Sequence, residues 1–131
     1  MKFSNEEERF LKENEIGRLA TVSSNELPHV VPVCFIYDSG YFWVSTDSKT
    51  KKFRNILANN KVALVVDSGY DLNRGILVQG TAQVYEKGRE FRRLYSVFYK
   101  KFAWVRADPW KEGEGPLLRI QPDRKVCWGL H

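Results

Sequence analysis

The segment Ser48-Lys49-Thr50-Lys51-Lys52 brings together the residue types of this chain best suited to gripping an anion. It follows the apolar run Tyr41-Phe42-Trp43-Val44, with Ser45 and Thr46 between, and opens a stretch in which Phe53, Ile56 and Leu57 recur at helical spacing. It therefore lies where a strand gives way to a helix. A helix start carries about half a positive charge and unpaired amide groups, so lysines placed there repel the local dipole. A bound phosphate removes the conflict, because it accepts from hydroxyls, amides and ammonium groups at once. A solvated charge run is the competing reading, and the flanking hydroxyls of Ser45, Thr46 and Thr50 favour the phosphate. The segment is not a Walker loop, since the glycines are missing.

A second feature is the run from Pro28 to Tyr37, which is apolar at nearly every position and predicts a strand covered on both faces. Pro32 cannot donate to a sheet ladder, so the strand must be an edge or bulged at that point. Backbone groups freed there suit the edge of a flat heteroaromatic ring such as a flavin, but an ordinary edge strand is the competing reading and, on this feature alone, the favoured one. Catalytic sets are scarce. The only histidines are His29 and His131, no Ser/His/Asp set or carboxylate pair stands out, and no residues carry metal-ligand spacing. Cys34 and Cys127 are far apart and form no CxxC pair, which reads as two free thiols. A chain without its own acid–base machinery fits a protein that positions a cofactor.

The elements that must hold these groups follow from pattern. Ser4 and Glu7 form a capping box for a helix ending near Asn14. Strands are expected over Ile16–Ser23, Pro28–Tyr37 and Tyr41–Thr46. A helix capped by Asp47 or Ser48 should run to about Asn59, burying Phe53, Ile56 and Leu57. Strands follow at Lys61–Asp67 and Arg74–Tyr85, the latter with Ile76, Val78, Ala82 and Val84 on one side. A helix from Gly88 to Phe102 buries Phe91, Leu94, Tyr95, Phe98 and Phe102. Asp108 to Pro116 reads as a loop containing Trp110, and Leu117–Pro122 with Lys125–Gly129 as a last strand or pair of strands. This order predicts a mainly antiparallel barrel with helices packed outside. The length of 131 residues fits one domain. The net charge of +5 favours anionic partners. The basic residues form no aromatic-interleaved stripe, so nucleic acid is not expected. The polar, acidic start is unlike a signal peptide, and no apolar run approaches the roughly 20 residues of a membrane helix. A cytoplasmic protein is expected.

Several segments together resemble the pyridoxamine 5′-phosphate oxidase-like split-barrel flavoproteins. They are Gly17-Arg18-Leu19-Ala20-Thr21-Val22, Pro28-His29-Val30-Val31-Pro32-Val33, Thr46 with Thr50-Lys51-Lys52-Phe53-Arg54-Asn55, Lys61 to Val66, Gly80-Thr81-Ala82, Arg119-Ile120-Gln121-Pro122 and Val126-Cys127-Trp128-Gly129. The resemblance spans nearly the whole chain in order. It implies a mainly β fold, a six-stranded antiparallel Greek-key split barrel. It also implies a homodimer with FMN, or the deazaflavin coenzyme F420, at the interface, acting on a small substrate. The family's phosphate contacts fall on Ser45, Thr46, Thr50, Lys51 and Lys52. Its ring contacts fall on Val30, Val31, Pro32, Val33, Cys34 and Phe35, largely through backbone, with a further contact at Arg74 or Gly75. Trp110 or Trp128 of a second subunit is expected over the ring. Two departures matter. The family's arginine is Lys51 here, which keeps the charge and loses bidentate contact. The family's pyridoxal phosphate-binding C-terminal segment has no counterpart, so the substrate is left open. A haem-binding member of the same barrel, with His29 or His131 on iron, and a non-catalytic flavin carrier are the alternatives.

Overall fold

A computed structural model describes residues 1–131. Six antiparallel strands close into a barrel: β1 (Ile16–Val22), β2 (Pro28–Asp38), β3 (Tyr41–Ser45), β4 (Lys61–Asp67), β5 (Gly75–Tyr85) and β6 (Leu117–Trp128). Their order around the wall is β1-β2-β3-β6-β5-β4. The Greek-key crossing is the β3-to-β4 connection, which carries helix α2 (Lys51–Ala58). Alternation along each strand sends one set inward. Leu19, Val33, Phe35, Val44, Leu64, Val66, Ile76, Val78, Leu118 and Ile120 form one buried cluster.

Helix α1 (Asn5–Glu13) and α2 seal opposite ends. Phe3, just ahead of α1, packs edge-on against Tyr37 and Phe42 beside the β2–β3 hairpin, while Asn55 of α2 donates to Thr21 at the far end of β1, at 2.9 Å. Both helices push aromatic and aliphatic side chains, Phe10 and Leu11 or Phe53 and Ile56, into the barrel cluster. Helices α3 (Arg89–Lys101) and α4 (Ala103–Ala107) lie outside, over Trp43, and bury Phe91, Leu94, Phe98, Phe102 and Val105 with it. The break between them is at Phe102, whose backbone is extended (φ −113°, ψ 120°). No helix is long and apolar enough to cross a membrane.

Several expectations need correction. β2 is not covered on both faces: Val30 is 65% exposed, and Pro28 and Pro32 are exposed too. Pro32 meets the edge alternative rather than the bulge. It pairs regularly with Arg18, and β3 reaches only Phe35–Asp38 of β2, so Pro32 sits on a stretch free along one side. The Phe35 amide donates to Glu15 on the β1 side. By alternation the nitrogen of Pro32 faces the free side, where no ladder bond is lost. The α2 cap is Thr50, not Asp47 or Ser48. Asp47 instead shapes the preceding turn: its carbonyl accepts the Thr50 amide and hydroxyl, and its carboxylate accepts the Lys49 amide. Leu57 is 65% exposed, and Asn55 takes the inward place. The last strand is single and runs through Pro122, opposite Gly80, beside a register shift at Gln79/Gly80. Helix α4 has no counterpart in the sequence reading.

The first helix is also tied to β6 by charge. Glu7 is buried and accepts from Lys125 Nζ at 2.6 Å and from the Ser4 amide at 2.7 Å. Burial opposes its charge, but hydrogen bonds from Lys125, the Cys127 thiol and the Ser4 amide prevail and hold its pKa down at about 2. Burial and the same carboxylate push the Cys127 thiol up to about 11. The folded carboxyl titrates below its ordinary value of 4.5, so its contribution is complete at neutral pH. It is lost as pH falls from about 4.5 toward 2. Glu7→Gln should therefore cost about 2–3 kcal/mol at pH 7, measured by urea midpoint, and the two proteins should converge near pH 2. A gap of equal size at both pH values would place the effect outside the ionisation.

Candidate functional site

At the end of β3 the chain turns into α2 through Thr46 to Thr50. The Thr46 amide donates to the Pro116 carbonyl at 3.2 Å, which pins the turn to the start of β6. The Thr46 and Thr50 hydroxyls are 3.1 Å apart, and Thr50 Oγ1 accepts the Phe53 amide as the helix cap. The amides of Lys51 and Lys52 have no intrahelical acceptor, and the first turn of α2 contains no acidic residue. Lys52 is half-buried, and desolvation lowers its pKa against the opposing pull of Asp47. No carboxylate lies within ion-pair distance of it. A desolvated, unpaired ammonium beside two hydroxyls and two unused amides is a cradle for a dianionic phosphate group.

These groups line one wall of a cavity of about 410 Å³. Ser45, Thr46, Asp47, Thr50 and Lys52 form that wall; Trp104, Asp108, Pro109, Trp110, Glu114 and Gly115 form the other. The second wall is fixed rather than floppy. The Trp110 amide donates to the Tyr95 hydroxyl at 3.0 Å and its indole N–H to the Gly115 carbonyl at 3.1 Å. Trp104 stacks on Trp110 with ring centres 6.4 Å apart and planes 16° apart.

Of the residues expected at the site, Ser45, Thr46, Thr50 and Lys52 converge on this cavity, and Lys51 is exposed outside it. Trp110 of the same chain also lines the cavity. On β2, Val33 and Phe35 point into the core, whereas Val30 and Pro32 are exposed and Val31 and Cys34 partly so. The free backbone edge of β2 thus belongs to Val30, Pro32 and Cys34. Arg74, Gly75 and Trp128 lie at the other end of the barrel, under α1: the Arg74 guanidinium sits 5.4 Å over the Phe10 ring. A side chain on Gly75 would strike the Trp128 indole, so the glycine is the seat of that ring. The Trp128 N–H donates to the Leu72 carbonyl at 3.1 Å. His29 pairs with Thr21 near α2 and leaves a buried Nδ1 without a partner, while the His131 amide is held by Glu6 of α1. The two histidines thus sit at opposite ends.

Sequence reading missed Trp104, Asp108 and Glu114. One signal was available: the buried stripe of α3 and α4 runs Phe98, Phe102, Val105, and Trp104 falls off it. A tryptophan outside its helix's buried stripe, 45% exposed, is a residue with a surface left to use.

The family model described as pyridoxamine 5′-phosphate oxidase matches residues 3–128. A 5a,11a-dehydrotetracycline/5a,11a-dehydrooxytetracycline reductase of Streptomyces rimosus is 32% identical over 138 residues, covering 99% of this chain and 85% of the relative. The haem storage protein of Vibrio cholerae superposes with a TM-score of 0.83 at 19% identity, covering 99% of this chain and 97% of that one. An F420 reductase superposes at 0.70 with 24% identity, covering 91% and 94%. The two structural likenesses establish a common fold, and the match along the sequence goes further: this chain belongs to the pyridoxamine 5′-phosphate oxidase family of split-barrel flavin oxidoreductases.

Proposed function

We propose that this chain is an FMN-dependent oxidoreductase that acts on a small organic acceptor as a cytoplasmic homodimer. The observation that carries the reading is Lys52, half-buried, unpaired and set at the start of α2 beside Thr46 and Thr50. Such a group fits a terminal phosphate better than it fits solvent. Lys52 supplies the charge, Thr46 and Thr50 the hydroxyl contacts, and the Lys51 and Lys52 amides the remaining donors. The free edge of β2 at Val30, Pro32 and Cys34 offers backbone groups to the rim of a flat ring. FMN bound there supplies hydride transfer. The chain's own part is to hold the phosphate, orient the ring and exclude water behind the Trp104–Trp110 wall.

The dimer rests on a separate observation. Helices cover the wall over β3, whereas outward-facing side chains of β1, β2 and β6 are left bare, with Ile16, Val30 and Val126 more than half exposed. A cavity of about 550 Å³ lies on this bare face, with Ala20, Val22, Val62 and Ala63 among its lining. A second copy seated there would cover apolar surface and offers a route for Arg74 or Trp128 of the partner to approach the ring. The free thiols Cys34 and Cys127 accord with a reducing compartment.

The visible spectrum of the purified protein tests the cofactor. FMN and the deazaflavin coenzyme F420 absorb at different wavelengths, so titration with each also separates the two readings. We expect saturable FMN binding. A colourless protein that takes up neither would overturn the assignment. A Soret band on haem titration, lost in His29→Ala, would replace it with the haem reading.

A further inference from the structure

The cradle accounts for only one wall of the 410 Å³ cavity. Opposite Lys52 stands an indole that a folding chain had every reason to bury and did not. Trp104 is 45% exposed, yet its orientation is fixed by contacts with Trp110 and with Phe102, the latter tilted 34° at 6.0 Å. Beside it in the same cavity lie Asp108 and Glu114. Glu114 is held in place through Oε1, which accepts the Lys111 amide at 2.6 Å. Neither carboxylate enters an ion pair, in a chain with 21 lysines and arginines against 16 acidic residues. With Asp47 the cavity thus holds three carboxylates and one ammonium. A phosphate at Lys52 would deepen that negative balance, so whatever shares the cavity with it must bring positive charge.

From this geometry we infer that the Trp104 wall is the substrate half of the cavity and selects a planar aromatic molecule carrying a protonated amine. The ring lies against the Trp104 indole, and the amine sits between Asp108 and Glu114. A rigid indole face attracts both a flat ring and a cation, and the two exposed carboxylates add direct ion pairing with the amine. The inference rests on the cofactor reading only in taking Lys52 for the phosphate; the aromatic wall and its carboxylates stand independently of it.

The test uses three probes of one shape: 9-aminoacridine, cationic at neutral pH, acridine, neutral, and acridine-9-carboxylate, anionic. Each is titrated by calorimetry into the protein with saturating FMN present, and FMN binding is measured separately by quenching of flavin fluorescence. We expect the cationic probe to bind at least fivefold more tightly than the neutral one and at least tenfold more tightly than the anionic one. In Asp108→Asn/Glu114→Gln the preference should fall below twofold, with FMN affinity equal to or above that of the parent. Trp104→Leu should weaken all three probes at least fivefold, and Trp104→Phe should restore most of that loss. Equal binding of the three probes, or a preference that survives the double substitution, overturns the inference. If FMN fails to bind, the probes are titrated into the protein alone. A charge preference there retains the subsite and removes the cofactor reading, and its absence removes both.

Discussion

Trp43→Ala is expected to lower the folding free energy by about 3–5 kcal/mol, the usual range for truncating a fully buried aromatic residue. Trp43 has no exposed surface. It lies on the outer face of β3, between the barrel and the two outer helices. Its ring meets Tyr85 edge-on at 5.1 Å and shares a cluster with Phe91, Leu94, Phe98 and Val105. Removing it leaves a cavity lined by both layers, and neither layer can collapse without the other. Trp43→Phe should cost far less, about 1–2 kcal/mol, because the indole N–H has no hydrogen-bond partner and its loss relieves a buried, unsatisfied donor. Urea midpoints of the two variants check this, and a loss below about 1 kcal/mol for alanine would show that the outer helices dock by other contacts. The alanine variant should also bind FMN weakly even where it is folded, because Trp104 and Trp110 reach the cavity from the helical layer that Trp43 anchors.

The second large effect is on binding rather than folding. Lys52→Ala should weaken FMN binding about 10- to 150-fold, the equivalent of the roughly 1.5–3 kcal/mol of a hydrogen bond to a charged group. Its urea midpoint should stay near that of the parent, because Lys52 makes no ion pair in the folded chain. Lys51→Ala, one residue away on an exposed site, should change the affinity less than threefold. The contrast separates a directed contact from a general loss of positive charge. Equal losses at both positions would mean that α2 attracts the phosphate only as a diffuse basic patch. Thr50→Ala should lower both affinity and stability, since its hydroxyl faces the cavity and also caps the helix.

Most of the strands were legible because their apolar or alternating runs are bounded by turns that carry Gly, Asn and Asp. The barrel's closure was legible only through resemblance to a family, since register between distant strands leaves no mark in local pattern. At the site, the basic segment advertised itself by placing lysines where a helix start disfavours them. Which lysine turns inward was not legible: Lys51 and Lys52 are adjacent and chemically alike, and their difference arises from the approach of the 104–115 segment from outside. That segment lies 50 residues or more along the chain from Thr46, so no local rule joins Trp104 and Glu114 to Lys52. The misplaced helix cap has a local cause. Asp47, Ser48 and Thr50 are all competent caps, and the choice fell to Thr50 once Asp47 was committed to the turn before it.

The free side of β2 has a consequence for colloidal behaviour. A closed barrel leaves no edge for another chain to pair with, except where β2 runs alone beside an unoccupied flank. Exposed Val30 next to bare backbone is the composition from which strand-to-strand association starts. Pro32 stands in the middle of that flank with no N–H to offer, so an incoming strand finds its ladder interrupted after one bond. The residue proposed to lie beside a flat ring's edge thus also protects the protein while no ligand is bound. Pro32→Val should leave the fold intact and raise light scattering during incubation of the ligand-free protein, with added FMN suppressing the increase.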